Sequence, residues 1–524
     1  MSSKHEVVIA GAGHHGLTVA CYLAKAGLDV ILLERSSKVG GGVTSTEAAA
    51  PGFVTDTCAV VHHLFQASPI MTRDELGLQS KYGLKYSKPD LTTAVQFTDG
   101  TYLTICASLD RTCQSIAKFS QKDAEAYRNF ASWISHAHDM MIAGFFAPPP
   151  PFGMYTTMLD SSDESRELLR CNLLSAWDVI EEWFSCDKVK IALSRWVSEI
   201  MIMPQTKGTG IVVPMMIGLQ HSPGRGPGIP IGGSGKVSES MEQFILDNGG
   251  TIRTKAAVKE FIVKGGKCEG VILEDGEEIF GTKAVISNLN IKKMFPEMFS
   301  SGLSPEGYTR KVDRLRVSEF SAYQQGLALH EAPNYKEDEL NEALLVEYAP
   351  ANEEDYLRYF ENLKHGVTDH FPGLVCQSRY DETRAPKGKH TLYLYEYAPY
   401  FLKDGGPSKW DEISDQYAEE VMNFLRQFTT NMGKENIIGH WKMSPLEMER
   451  KNPSFLYGDF GHVAAFLDQN MGNRPLPGWN YKTPFDNLFL CGPGCHPGAG
   501  CNGAGRAAAQ AVMEELGIDI ETVV

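Results

Sequence analysis

The sequence contains no Cys-x-x-Cys pair, and its 11 cysteines are an odd number without regular spacing. A zinc module, a dithiol redox pair and a secreted disulfide framework are excluded, so no metal centre is expected and a reducing compartment is. Long hydrophobic runs are missing too. No 18 consecutive apolar residues occur, which excludes a membrane-spanning helix. Lys4 and Glu6 lead into a short apolar run that meets glycines at once, unlike a signal peptide. Positive charge is scarce: 49 Lys and Arg stand against 65 Asp and Glu, for a net charge of −16. Such a chain lacks the cationic field that nucleic acid requires. What remains is ordinary globular composition, 43% hydrophobic and 22% charged over 524 residues. That length suggests about three domain-sized units, with cores large enough to need no staple.

The N-terminus carries the strongest pattern. Val7-Val8-Ile9-Ala10 reads as a buried parallel strand. It runs into Gly11-Ala12-Gly13-His14-His15-Gly16, a helix-compatible segment at 17–26, a second apolar strand at 30–33, and Glu34. Each part has a physical task. Gly11 permits a tight turn, Gly13 lets backbone approach a pyrophosphate, and Gly16 lets the helix pack on the sheet. The helix N-terminus offers free N–H groups and partial positive charge to phosphate. Ala12 and His15 share the loop and are candidates for the same site. Glu34 stands near the spacing at which an acid accepts hydrogen bonds from ribose hydroxyls, and it disfavours a 2′-phosphate. Arg35 follows, then Gly40-Gly41-Gly42. A glycine cluster there suits a cofactor that continues past the pyrophosphate, FAD rather than NAD, and makes Gly41 and Gly42 candidate contacts.

The C-terminus repeats the device. Asn487-Leu488-Phe489-Leu490-Cys491-Gly492 reads as a strand leaving a turn, and a glycine-rich loop through Gly500, Cys501 and Asn502 enters an Ala-rich helix at 506–516. A helix N-terminus of this kind can face the flavin N1–C2=O edge, where charge gathers on reduction. In the middle, residues 229–236 precede a helix at 237–246, and strands are expected at 251–255, 258–263 and 283–287, the last followed by Asn288.

Together these segments resemble the phytoene desaturase and carotenoid isomerase family of FAD-dependent oxidoreductases. That family includes a pyridine nucleotide-disulphide oxidoreductase domain-containing branch and is related to the flavin amine oxidases. The matching pieces are residues 8–16, 34–42, Pro51-Gly52-Phe53 with Asp56, 230–235, Gly249-Gly250 and 490–500. The resemblance implies an α/β fold in which a discontinuous Rossmann-like FAD domain (1–75, 225–295 and 480–524) carries an inserted α+β substrate domain (76–224 and 296–479, helical over about 110–200). It implies that the Val258 backbone reads adenine, that Gly500, Cys501 and Asn502 touch the flavin pyrimidine, and that Asn288 and Gly492 lie at the cofactor. Pro493, Cys501 and Asn502 depart from the desaturase pattern beside the flavin, so desaturase activity does not simply carry over.

The chain has no second strand–Gly-x-Gly-x-x-Gly–helix unit for NAD(P)H, so flavin reduction by an organic substrate is expected. Desaturation or isomerisation of an apolar, isoprenoid- or lipid-like molecule leads. Oxidation of an amine or another polar small molecule, and a non-catalytic binding protein of the same fold, are the alternatives. Oxygen, a quinone or another acceptor would reoxidise the flavin. His63 and His496 are candidate catalytic groups, with a hydrogen-bonded loop histidine as the plainer reading of His62 and His63. Cys491, Cys495 and Cys501 match no covalent-flavin spacing, so non-covalent FAD is expected. The apolar run at 140–147, followed by four prolines, suits a tunnel mouth, a bilayer-surface contact, or a core helix end before a stiff linker. A cytoplasmic location is expected, with peripheral membrane contact left open. The acidic stretches 331–347 and 353–355 read as solvated helix faces.

Overall fold

The computed structural model describes residues 2–300, 306–500 and 502–524. Cys501 therefore lies outside the described residues. Two seven-stranded sheets organise the described chain. In the first, Ser2–Ala10 lies between Val30–Leu33 and Glu278–Ser287, parallel to both, and Leu488–Leu490 pairs parallel with the far side of Glu278–Ser287. Thr251–Arg253 extends the sheet beyond Val30–Leu33. Val258–Lys264 and Lys267–Leu273 add an antiparallel hairpin at the opposite edge.

The continuous apolar runs have a structural reason. Val7 to Ala10 and Val30 to Leu33 are buried on both faces, as strands of a covered parallel sheet must be. The covering helices are His14–Lys25, Gly235–Asp247 and Gly503–Glu515. The first begins directly after Gly13, which takes the extended N-cap conformation. Glu278–Ser287 is longer than its apolar end suggests, because its polar first half pairs with the exposed hairpin.

The second sheet runs, in spatial order, Ile437–Met443, Ser321–Leu329, His390–Ala398, Gly373–Val375, Leu345–Ala349, Leu91–Phe97 and Tyr102–Cys106. It corrects one expectation. Leu345–Ala349 is buried along its whole length, with Glu347 fully enclosed, so 331–347 is not a solvated helix face. Glu347 tolerates this position because Arg195 and Tyr395 meet its carboxyl. The second acidic run does open a helix, Glu353–Lys364, whose N-cap Asn352 accepts from the Asp355 amide.

Helices from Leu109–Ala117 to Val212–His221 cover one side of this second sheet. A buried ionic cluster joins the two sheets' segments. Arg384 donates to Asp56 at 3.0 Å and Asp381 at 2.7 Å, and also to the Pro230 carbonyl. Asp56 further accepts from the Ser234 amide, so the 51–56 and 230–235 segments meet here. No helix among the described residues is long and apolar enough to cross a membrane.

Candidate functional site

One cavity of about 1080 Å³ runs from the carboxyl ends of the first sheet's parallel strands to the second sheet. Open α/β sheets bind ligands at this end of their strands. Glu34 leaves the end of Val30–Leu33 into the cavity wall. Its carboxylate accepts from the Ala12 amide at 3.0 Å and the Ser36 amide at 2.7 Å. Each oxygen retains acceptor capacity beyond these bonds. Arg35, Ala256 and Val258 line the same end, where the Ala256 amide donates to the Glu34 carbonyl.

Two helix N-termini converge on the middle of the cavity. Gly11, with φ +97°, turns the chain from the first strand into the His14–Lys25 helix. The Gly503–Glu515 helix packs so closely against that first turn that a Cβ on Gly505 would lie 2.7 Å from the His15 carbonyl oxygen. Gly41 occupies the left-handed region at φ +60°, with its Cβ position 3.1 Å from the Gly13 Cα. The Gly40 amide donates to the Ala12 carbonyl, locking the two glycine loops together. Bare backbone and two positive helix ends therefore face one anion-sized region. Both ring nitrogens of His15 and Oδ1 of Asn288 are buried there without hydrogen-bond partners among the described residues.

The opposite half of the cavity is apolar. Met140, Met141, Phe145, Met158, Met215 and Met216 contribute to it. Met140 and Met158 are each 56% exposed as well, so they stand at its mouth. The second sheet supplies Tyr393 and Tyr395, whose rings stack at 6.2 Å. Tyr393 donates to the Cys58 carbonyl beside the glycine loop. Tyr395 donates toward Glu199, a carboxyl in the cavity wall.

A family model described as "Flavin containing amine oxidoreductase" matches residues 16–325, more than half of the chain. The chain belongs to this family. Rat pyridine nucleotide-disulfide oxidoreductase domain-containing protein 2 is 27% identical, covering 98% of this chain and 94% of that protein. A limonene dehydrogenase subunit, from Castellaniella defragrans, is 23% identical over 98% and 95%. Phytoene desaturase (lycopene-forming) of Pantoea ananas also matches at 23%, over 97% and 99%. A putrescine oxidase triple variant shares the fold at TM-score 0.62 and 14% identity, covering 99% and 100%.

The flavin amine oxidoreductase fold makes this chain an FAD-dependent oxidoreductase. Its residues fit the group: an acid at one end, amide-lined backbone and orphaned polar atoms in the middle, and a large apolar chamber beyond. Of the sequence-predicted contacts, Gly11, Gly13, His15, Glu34, Arg35, Gly41, Gly42, Val258, Asn288, Gly500 and Asn502 line the cavity. Ala12, Gly16 and Gly492 lie behind the wall. Ala12 presents its amide to Glu34, Gly16 packs on the Gly11 carbonyl, and Gly492 packs on Asn288.

Both catalytic candidates also reach the cavity. Burial lowers the His63 and His496 imidazoles to about 4, so both are neutral near pH 7. His496 Nε2 donates to the Gly144 carbonyl at 2.8 Å, leaving Nδ1 unprotonated. Sequence reasoning missed Glu199, His462 and Arg474. Each sits in a segment without local periodicity, and only long-range packing brings it to the wall.

Proposed function

We propose that this FAD-dependent oxidoreductase withdraws hydride from an apolar, isoprenoid- or lipid-like molecule, desaturating or isomerising it. One observation carries the reading. The cavity continues from the nucleotide-like cleft into a chamber walled by methionine, aliphatic and aromatic side chains. A polar substrate would exchange most of its hydration there for apolar contacts. The names of a limonene dehydrogenase and a phytoene desaturase among the relatives support the same class.

Bound in this cleft, FAD supplies the hydride acceptor. Glu34 would hold the adenosine ribose, with the Val258 backbone beside the adenine. The amides of the 11–16 loop would hold the pyrophosphate, and Gly500 and Asn502 the flavin pyrimidine. The buried thiols of Cys491 and Cys495 are pushed well above their usual range by burial, which disfavours a thiolate attack on the cofactor and supports non-covalent binding. The exposed methionines at the mouth suit a peripheral contact with a lipid surface through which an apolar substrate enters. Oxygen or a quinone would take the electrons.

The test is anaerobic mixing of the FAD-loaded protein with limonene and, separately, with putrescine. Loss of flavin absorbance with limonene is expected. Bleaching by putrescine alone would overturn the apolar reading.

A further inference from the structure

The chamber wall contains a pair of carboxyls that the flavin chemistry does not explain. Glu199 follows the helix Asp187–Val197 and faces the cavity. Glu347 stands behind it in the strand Leu345–Ala349, fully buried. The Tyr395 hydroxyl lies 2.7 Å from Glu199 Oε1 and 3.0 Å from Glu347 Oε1. Tyr397 places its hydroxyl 2.7 Å from the same Glu199 oxygen.

Counting protons decides the state of this cluster. A phenol carries one proton, so Tyr395 cannot donate to both carboxylates. If both were ionised, one contact would set a phenol oxygen against an anionic oxygen in a dry site. A carboxyl proton donated to the Tyr395 oxygen resolves the conflict. Charge counting agrees. Arg195 Nε stands 3.5 Å from Glu347 Oε1 and is the cation of the cluster. Two ionised carboxyls would leave one negative charge in the chamber wall uncompensated. Glu347 Oε2 and Arg195 Nη1 have no hydrogen-bond partner among the described residues, so the cluster is not closed on itself as a purely structural ion pair would be.

Neutral phenols pack around it, with Glu396 and Asp369 beyond Tyr359. Burial pushes Tyr395, Tyr397, Tyr356 and Tyr359 well above their usual range. Burial likewise raises Glu347 to about 7, against the pull of Arg195 and with the Glu199 carboxyl adding to the rise.

We propose that Glu199, Tyr395 and Glu347 form an acid–base site in the chamber wall, in which the two carboxyls share one proton at rest and Glu199 exchanges a proton with an apolar occupant. Its use in catalysis rests on the apolar-substrate reading above. In a desaturation, a substrate C–H proton passes to the Glu199 carboxylate and that bond's electron pair becomes the new C=C bond. The hydride leaves the neighbouring carbon with its electron pair, and the flavin that the family implies would be its acceptor. The shared proton rests on Glu347 during this step, and Tyr395 links it to the Glu199 carboxylate.

Dicyclohexylcarbodiimide is an apolar probe that tests the site without any redox step. It reacts only with a protonated carboxyl. The acid's proton goes to a carbodiimide nitrogen and its oxygen bonds to the central carbon, which rearranges to a stable acylurea. Peptide mass spectrometry of the FAD-loaded protein should find the label on Glu199. Glu347→Gln copies the protonated partner but cannot give its proton away, so it should leave Glu199 much less labelled. Infrared titration should show one carboxylic acid band lost near neutral pH in the wild type and absent from Glu347→Gln. An unlabelled Glu199, or equal labelling in Glu347→Gln, overturns the site. Glu199→Gln should also slow bleaching by limonene by about 100-fold or more, and an unchanged rate overturns its catalytic use. Absence of bleaching in the wild type instead sinks the apolar-substrate reading, and the labelling result still decides the shared proton.

Discussion

Removing the Glu34 carboxylate separates two functions that the structure gives it. It accepts from the Ala12 amide at 3.0 Å and the Ser36 amide at 2.7 Å. In Glu34→Ala both donors lose their partner. Ser36 is exposed and finds water, but Ala12 is fully buried. An orphaned buried amide costs about 1–3 kcal/mol, which is the expected loss of stability in the FAD-free protein. Cofactor binding loses something further. A hydrogen bond from a ribose hydroxyl to a carboxylate contributes about 1.5–3 kcal/mol, so the FAD dissociation constant should rise about 10- to 100-fold. Glu34→Gln retains one carbonyl acceptor for Ala12 and a neutral partner for the ribose, and should fall between. The assay is reconstitution of stripped protein followed by flavin fluorescence, with chemical denaturation of the FAD-free forms alongside. Lower stability with unchanged FAD affinity would show that Glu34 only braces the glycine loop, and the cofactor argument would be refuted.

Three further outcomes are expected. Acid or heat denaturation followed by filtration should release the flavin, and colour retained on the polypeptide would contradict non-covalent binding. NADH and NADPH should reduce the bound flavin slowly, because the chain's other Gly-x-Gly-x-x-Gly run, residues 498–503, faces the same cavity as the first and opens no second nucleotide site; rapid anaerobic bleaching by either would count against substrate-driven reduction. Asn502 is buried at the N-cap of the Gly503–Glu515 helix. Asn502→Asp places a carboxylate where reduced flavin gathers charge and should lower the reduction potential, whereas Asn502→Ala should change it much less. Equal potentials in dye-coupled titration would place this loop away from the pyrimidine.

The first sheet was legible in the sequence because its constraints are local. A strand buried on both faces shows as an unbroken apolar run, and a phosphate-approaching turn shows as glycines at fixed offsets. The second sheet hid because its buried polar residues are satisfied from far away. Gln325 lies in the core of Ser321–Leu329 and accepts from His440 Nε2 at 2.8 Å across the neighbouring strand. Glu347 breaks the apolar run of Leu345–Ala349 and finds Arg195 from a distant helix. A carboxylate in a short run ordinarily signals solvent, and no window of local sequence shows that a cation will cover it. Asp56 belonged to a recognised motif, yet its cation, Arg384, has no local mark and is fully buried. The second-sheet wall of the chamber is therefore the least legible part of the protein, whereas Met140, Met141 and Phe145 on its other side belong to an apolar run visible in the sequence.

Arg474 shows what that packing does at the cofactor end. Its guanidinium is buried, and its five N–H groups are shared among six backbone carbonyls: Gly461, Val463, Ala464 and Gln469 on one segment, Pro493 and Cys495 on the flavin-side loop. Burial lowers its pKa to about 10, so it remains cationic at neutral pH. Carbonyl dipoles, rather than a hydrogen-bonded carboxylate, hold this charge. The planar fork of five donors is what lets one side chain tie both segments together. Lysine offers three donors from a single point. Arg474→Lys should thus strand at least two of these contacts, at about 1–3 kcal/mol each, a loss of roughly 2–6 kcal/mol in denaturant unfolding. Because Pro493 and Cys495 lead into Gly500 and Asn502, the same variant should release FAD faster than Glu34→Ala does at equal stability loss. The rise of free-FAD fluorescence after dilution of the loaded protein measures that rate. Full retention of FAD in a destabilised Arg474→Lys protein would mean that the clamp supports the fold without shaping the flavin-side loop.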